Sequence, residues 1–360
     1  MNRRRPRPSK ALVAAVALGS VALVAGCSCE GEPVSFDGPS ATAAAPSAPS
    51  GPSGRSGARD GGAASRAAAE AAAKTLMPTG PKAEFTTQNT IEDGTRIGVT
   101  TLHGRKSGFT GKVWVWAPKQ YFDPAYAHSG FPVLIALPGG NGYPNNYWMG
   151  TDLKLQSSIT RWSQEGKSLP FIVVMPVLNP DDKYYYDGSD IPGQPKMGTW
   201  MTEDVPDFVK ANFRTFTSRD GWAFMGSSSG GFVGLKSVLQ HPDKFKAVIA
   251  SGPDTVPDSP LWAGHAAEQQ ANNPEKLAEA LGAKPDTKDN AVYLAFQIGT
   301  KESGTRNLKS FIRNHTKGPV KTRLQVIQDG EHNARTYVQG MGDGSVQWIS
   351  RHMQAPVPTP

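Results

Sequence analysis

Gly226-Ser227-Ser228-Ser229-Gly230 decides how this 360-residue chain is read. In front of it, Trp222-Ala223-Phe224-Met225 is a short apolar run of the kind that forms a buried strand. Behind it, Phe232-Val233-Gly234-Leu235-Lys236-Ser237-Val238-Leu239 carries apolar residues at helical spacing. A G-x-S-x-G between a strand and a helix is a nucleophile elbow. The turn is so sharp that side chains two before and two after the serine would collide with the adjoining strand and helix, so both places are glycine. The strained turn pushes Ser228 Oγ into the open, and the helix start offers backbone N–H groups to an oxyanion. Ser228 is therefore the expected nucleophile.

The strands tell where its partners belong. Residues 96–102 and 112–116 alternate in polarity around a turn-rich stretch, an antiparallel pattern. After them the runs become continuously apolar: 132–137, 171–175, 223–225, 247–250, 291–296 and 324–327. Such runs, separated by helical stretches, predict an α/β fold with a mostly parallel central sheet covered by helices on both faces. Active sites in these sheets lie beyond the carboxyl ends of the strands. Residues 254–289 interrupt the rhythm and are expected to form a small helical cap over the pocket.

A serine nucleophile needs a base, and the base an orienting acid. Of seven histidines, His332 sits just past the last strand, in Asp329-Gly330-Glu331-His332-Asn333, and is the expected base. His241 reads as the end of the elbow helix. His265 lies in the inserted segment with nothing to fix it at the site, and His103, His128, His315 and His352 read as surface residues. Glu302, in Gly299-Thr300-Lys301-Glu302, follows the preceding strand and is the expected acid; Asp329 and Glu331 compete but lie awkwardly close to His332. Oxyanion donors are expected from the backbone of Ser229 and of Gly140 in Leu137-Pro138-Gly139-Gly140-Asn141-Gly142, with Asn141 as the alternative. These glycines form no G-x-G-x-x-G, so a dinucleotide site is not indicated. Aromatics crowd the loops. Tyr147, Trp148, Tyr185, Trp200 and Trp262, with Asn141, are the expected substrate contacts, since flat rings with a polar edge suit a sugar, acyl or aryl group. No metal or cofactor is implied.

The ends read differently. Arg3, Arg4, Arg5, Arg7 and Lys10 precede an apolar stretch at 11–24, a signal-peptide pattern. Leu23-Val24-Ala25-Gly26-Cys27 resembles a bacterial lipobox, which implies cleavage before Cys27 and a lipid on it, hence a membrane-anchored protein on the extracytoplasmic face, with release as the alternative. Arg3-Arg4 hints at twin-arginine export. The formal charge is +7, but the signal supplies five basic residues and no acid; seven less five leaves about +2. Nucleic-acid binding, which needs a basic face on the folded domain, is not supported. The only cysteines are Cys27 and Cys29, so the expected domain holds no disulfide and no thiolate metal site. Residues 27–82, rich in Ser, Pro, Gly and Ala, are expected to be a disordered tether with a reach of roughly 40 Å. Residues 83–353 are the expected catalytic domain, a monomer, and 354–360 a loose tail.

From about residue 96 to 349 the chain resembles the esterase-D-like α/β-hydrolases, a group that includes secreted mycolyltransferases, feruloyl and acetylxylan esterases, and enterochelin esterases. The matching words are Phe131-Pro132-Val133-Leu134 leading to Gly139-Gly140, Glu203-Asp204-Val205-Pro206-Asp207-Phe208-Val209, the stretch from Gly226 to Gly231, and His241-Pro242-Asp243-Lys244-Phe245. The resemblance implies an α/β-hydrolase fold with Ser228, His332 and Glu302 as its triad and backbone donors at Gly140 and Ser229. The middle stretch, from Met175-Pro176 to Trp200, resembles the mycolyltransferase branch. Two departures stand against that branch: Pro138 replaces an Asp before the loop glycines, and residues 308–312 lack its helix-borne carboxylate. The expectation is an ester hydrolase working through an acyl-enzyme. The alternatives are acyl transfer to a sugar or lipid hydroxyl, and a non-catalytic surface binding protein.

Overall fold

The computed structural model describes residues 31–38 and 73–358. The signal, Cys27, Cys29 and the middle of the expected tether lie outside the described residues. The chain builds strands β1 (Pro33–Val34), β2 (Thr75–Leu76), β3 (Phe85–Thr90), β4 (Arg96–His103), β5 (Thr110–Trp116) and β6 (Val133–Leu137). Next come helix α1 (Leu155–Gln164), β7 (Ile172–Pro176), α2 (Val205–Asn212), β8 (Thr215–Phe216), β9 (Trp222–Ser227) and α3 (Ser229–Gln240). The last third holds β10 (Ala247–Ser251), α4 (Ala266–Ala271), α5 (Pro274–Gly282), β11 (Val292–Gly299), α6 (Thr305–His315), β12 (Val320–Ile327), α7 (Ala334–Gly340) and α8 (Val346–Ser350).

Ten strands form one sheet in the order β1-β3-β4-β5-β7-β6-β9-β10-β11-β12. From β7 to β12 every neighbouring pair is parallel; from β1 to β7 every pair is antiparallel. Every residue of β6, β7, β9 and β10 is buried. Successive strand side chains point to opposite faces, so both faces of this central part are covered. Helix α3 packs on β9 and β10, and α8 on β10 and β11.

The chain places β7 on one side of β6 and β9 on the other. The strand order therefore reverses beside β6, with Leu137 in register with Gly226. Ligands in open α/β sheets bind at such a switch point, outside the carboxyl ends. The elbow and the glycine loop after β6 meet there.

Two expectations about the ends are corrected. Part of the expected tether is folded. β1 pairs antiparallel with β3, Gly31 N–H donates to Thr87 O at 2.8 Å, and Phe36 is buried against Phe85 and Phe213 with ring centroids 5.0 and 5.2 Å apart. The reason lies in β4: Gly98 carries no side chain, and Val34 and Phe36 fill the place where one would stand. Further on, β2 pairs antiparallel with β8. Average composition hid both short apolar segments. The end of the chain is not loose up to residue 358 either, since Gln354 N–H donates to Asp220 O and Val357 N–H to Ser129 Oγ, each at 2.9 Å.

The cap expectation is corrected in part. Residues 254–262 do reach the cleft, through Asp254 and Asp258. Helix α5 instead packs beside the elbow helix α3 and against α6.

Candidate active site

Ser228 links β9 to α3 at φ 53° and ψ −122°, a conformation a side chain rarely adopts. Its N–H is held by Ser251 O at 2.8 Å. Both flanking glycines are required by contact. A Cβ on Gly226 would stand 2.7 Å from Gly231 N, and one on Gly230 would stand 2.6 Å from Leu137 O and overlap Pro138 O. The second clash is with the strand next door, so the elbow fits only because β6 and α3 approach backbone to backbone.

Glu302 lies in the turn after β11. Its side chain is 4% exposed, whereas His332 is 52% exposed. Glu302 Oε2 lies 2.6 Å from His332 Nδ1, and Oε1 accepts from Gly299 N–H at 2.6 Å. Ser228 and His332 line the same cleft. Of the competitors, Glu331 pairs with Lys301 at 3.2 Å on the surface, and His332 Nδ1 meets Glu302 and Tyr337 rather than Asp329. His241 caps the end of α3 and His265 precedes α4, as places in the chain apart from the cleft lining.

Gly140 adopts φ +65°. Its carbonyl accepts from Ser229 Oγ at 2.7 Å, which ties the glycine loop to the elbow. Gly139 N–H is already taken by Tyr147 Oη at 2.7 Å. The Gly140 and Ser229 N–H groups have no protein acceptor among the described residues. They flank Ser228 from two elements, and Ser229 opens α3, where the helix dipole favours negative charge.

The cleft has two lobes that share Ser228 and Tyr185. The wider one, about 540 Å³, is bounded by Gly139, Gly140, Tyr147, Leu153, His332 and Tyr337 among others. The narrower one, about 230 Å³, is bounded by Asn179, Phe232, Val233 and three carboxylates, Asp187, Asp254 and Asp258. Burial, then the neighbouring Asp187 and Asp254, lift Asp258 to about 6. Among the described residues no group of three or more His, Cys, Asp or Glu could hold a metal ion.

Of the expected substrate contacts, Tyr147 and Tyr185 line the cleft and four residues do not. Trp148, Trp200 and Trp262 are buried. Each indole N–H has an internal acceptor: Leu137 O at 2.9 Å for Trp148, Val177 O at 3.2 Å for Trp200, and Asp187 Oδ2 at 2.6 Å for Trp262. Buried indoles need such partners. Asn141 is a tie within the loops, donating to Asp182 O and accepting from Asn179 at 2.6 Å each.

Sequence reasoning missed three features of the site. Tyr337 Oη lies 2.8 Å from Glu302 Oε2 and 2.9 Å from His332 Nδ1. Gly252, at φ +53°, backs onto this group; a Cβ there would stand 2.7 Å from Glu302 Oε2 and 2.9 Å from His332 Cε1. Lys236, on α3, is completely buried and donates to Asp187 O at 2.7 Å, to Gly188 O at 2.6 Å and to Ser189 Oγ. Burial draws its ammonium down to about 7 against the pull of Asp187 and Asp190. The signal for Tyr337 was its place five residues after His332, at the start of a helix; nothing local marked Gly252 or Lys236.

A serine at a strained strand–helix turn, at the switch point of a mostly parallel sheet, defines an α/β-hydrolase. The Esterase family model, described as "Putative esterase", matches residues 109–348, and the chain belongs to that family. A curated relative, an uncharacterized protein of Corynebacterium glutamicum, is 24% identical over 154 residues. The match takes in 41% of this chain, and the chain spans only about a third, 34%, of that relative's length. Similar solved structures include a ferulic acid esterase with TM-score 0.58 and 20% identity, covering 72% of this chain and 99% of that one. An S-formylglutathione hydrolase from Agrobacterium tumefaciens has TM-score 0.57 and 19% identity, covering 75% and 99%. A substrate-bound, fluorophosphonate-binding serine hydrolase of Staphylococcus aureus has TM-score 0.57 and 17% identity, covering 71% and 98%. At these identities the likeness is one of fold.

Proposed function

We propose that the protein is an extracytoplasmic serine carboxylic-ester hydrolase, lipid-anchored at Cys27, that works through an acyl-enzyme on Ser228. The carrying observation is the chain of contacts from Gly299 N–H through Glu302 to His332 Nδ1, with His332 and Ser228 on one cleft. Glu302 keeps the proton on Nδ1, which leaves Nε2 free to act as base. Ser228 Oγ attacks the ester carbonyl carbon and its proton passes to Nε2. The carbonyl oxygen takes the negative charge, which the Gly140 and Ser229 N–H groups stabilise. The C–O bond to the leaving alcohol then breaks, and the alcohol departs with the proton from Nε2. Water, deprotonated by the same nitrogen, cleaves the acyl-enzyme.

Hydrolysis is favoured over acyl transfer by one observation: the His332 side chain is half exposed, so water reaches the group that would activate it. The two lobes seat the two sides of the ester. The carboxylates of the narrower lobe, close to Ser228, disfavour anionic groups there, so neutral esters are the expected substrates. The signal pattern and the small residues before Cys27 support the location.

The test is turnover of neutral aryl esters with mapping of a fluorophosphonate label. The label is expected on Ser228, and Ser228→Ala is expected to lose several orders of magnitude in kcat while staying folded. Labelling of Ser227 or Ser229, or ester turnover by Ser228→Ala close to the native rate, overturns the reading.

A further inference from the structure

Tyr337 does more than fill space beside the triad. Its side chain is 1% exposed, and its hydroxyl closes a triangle with Glu302 Oε2 and His332 Nδ1 whose sides measure 2.6, 2.8 and 2.9 Å. Burial first, then the hydrogen bond to Glu302, hold this hydroxyl protonated far above the ordinary tyrosine range. A carboxylate oxygen offers no proton, so Tyr337 donates to Glu302. One lone pair of its oxygen is then left toward Nδ1–H, which faces two acceptors.

The helix start sets the spacing. Asn333 caps α7 by accepting from Thr336 N–H at 2.9 Å, and Glu331 N–H donates to Thr336 Oγ1 at 3.2 Å. His332 stands just before that cap and Tyr337 one turn inside the helix, with their rings edge to face at 5.9 Å. Gly252 closes the opposite side. Its missing side chain is what lets Tyr337 Oη, Glu302 Oε2 and His332 Cε1 converge.

We propose that Tyr337 is a positioning residue of the reaction: through its hydroxyl it holds Glu302 in place and keeps the His332 proton on Nδ1. This rests on the ester-hydrolase reading above. A glutamate has one more rotatable bond than an aspartate, and so needs a second anchor besides Gly299 N–H to present one fixed oxygen to the imidazole.

Tyr337→Phe keeps the ring and removes only the hydroxyl. The expected result is a folded enzyme whose kcat falls about 10- to 100-fold with KM nearly unchanged, because the ring that borders the wider lobe is kept and the lost hydroxyl faces Glu302 and His332. In a Glu302→Gln background the same change is expected to have almost no further effect, since the hydroxyl acts through that carboxylate. The far-downfield Nδ1 proton of His332 in the NMR spectrum is expected to move in Tyr337→Phe. Native kcat with an unmoved Nδ1 resonance, or full additivity with Glu302→Gln, overturns the proposal. Should Tyr337→Phe not fold, 3-fluorotyrosine placed at 337 keeps the hydroxyl and changes its acidity; a shift in kcat at constant KM supports the role, and native kcat overturns it. The native enzyme and Ser228→Ala run alongside keep the two readings apart. No turnover by the native protein defeats the hydrolase reading, whereas normal turnover that Tyr337→Phe leaves intact defeats this inference alone.

Discussion

Ser228 holds its conformation because its neighbours leave it no other, and the strain has a measurable sign. At φ 53° and ψ −122° a Cβ is unfavourable, by about 1–3 kcal/mol. Glycine has no such penalty, although it loses roughly 0.5–1 kcal/mol more in ordering. Ser228→Gly is therefore expected to raise stability by about 1 kcal/mol while abolishing turnover, and Ser228→Ala, which keeps the Cβ, to leave stability within about 0.5 kcal/mol. Denaturant unfolding of the three proteins checks the pair; a less stable glycine variant overturns it. At this scale the reactive groups were legible. Ser228, Glu302 and His332 each stand just after a strand, so their order in the chain carried their meaning. Side chains that only support them were not. An indole on an active-site loop looks the same in sequence whether it faces a ligand or a carbonyl oxygen beneath it.

Trp262 shows what such a supporting side chain does for an element. Asp187 is buried, and burial first of all raises its pKa. It accepts from Trp262 Nε1 at 2.6 Å and from Ser259 N–H at 3.2 Å. Its own carbonyl is held by Lys236 of the elbow helix. One residue thus joins the loop after β7, the segment after β10 and helix α3, the three walls of the narrower lobe. Trp262→Phe is expected to cost about 2 kcal/mol, the usual penalty for a buried acceptor left short of a donor. Its effect on small neutral esters is expected to stay within about twofold in KM, since the ring touches no substrate. Thermal unfolding and steady-state kinetics separate the two; a large KM change with native stability would restore Trp262 as a substrate contact. The parallel strands were legible because apolar runs buried on both faces have no other common explanation. Strand β1 was not, because two paired residues make no periodic pattern and the slot they fill is defined by Gly98, far away in the chain.

For the whole molecule, the fold was readable from the alternation of runs and helices, and the way the domain is tied at its edge was not. The docked strand begins at Pro33, and Gly31 is already bonded to Thr87. Four residue-to-residue steps lead from Cys27 to Gly31. At no more than about 3.5 Å each, they span at most roughly 14 Å, not the roughly 40 Å that a tether running to residue 82 would allow. Residues up to 38 on one side and β2 on the other both belong to the folded domain, so the stretch between them is no part of the link from Cys27 to that domain. If Cys27 carries a lipid, as proposed, the docked sheet edge is held close to the headgroups, and esters at the bilayer surface become the expected substrates. Deleting residues 42–68 is expected to leave the height of the domain above the membrane unchanged, as read by energy transfer from a surface label to a membrane dye. Inserting 20 flexible residues after Cys29 is expected to lift it. If the deletion lowers the domain instead, the mooring point lies elsewhere; if Cys27→Ser protein stays on the membrane, the mooring is not lipid at all.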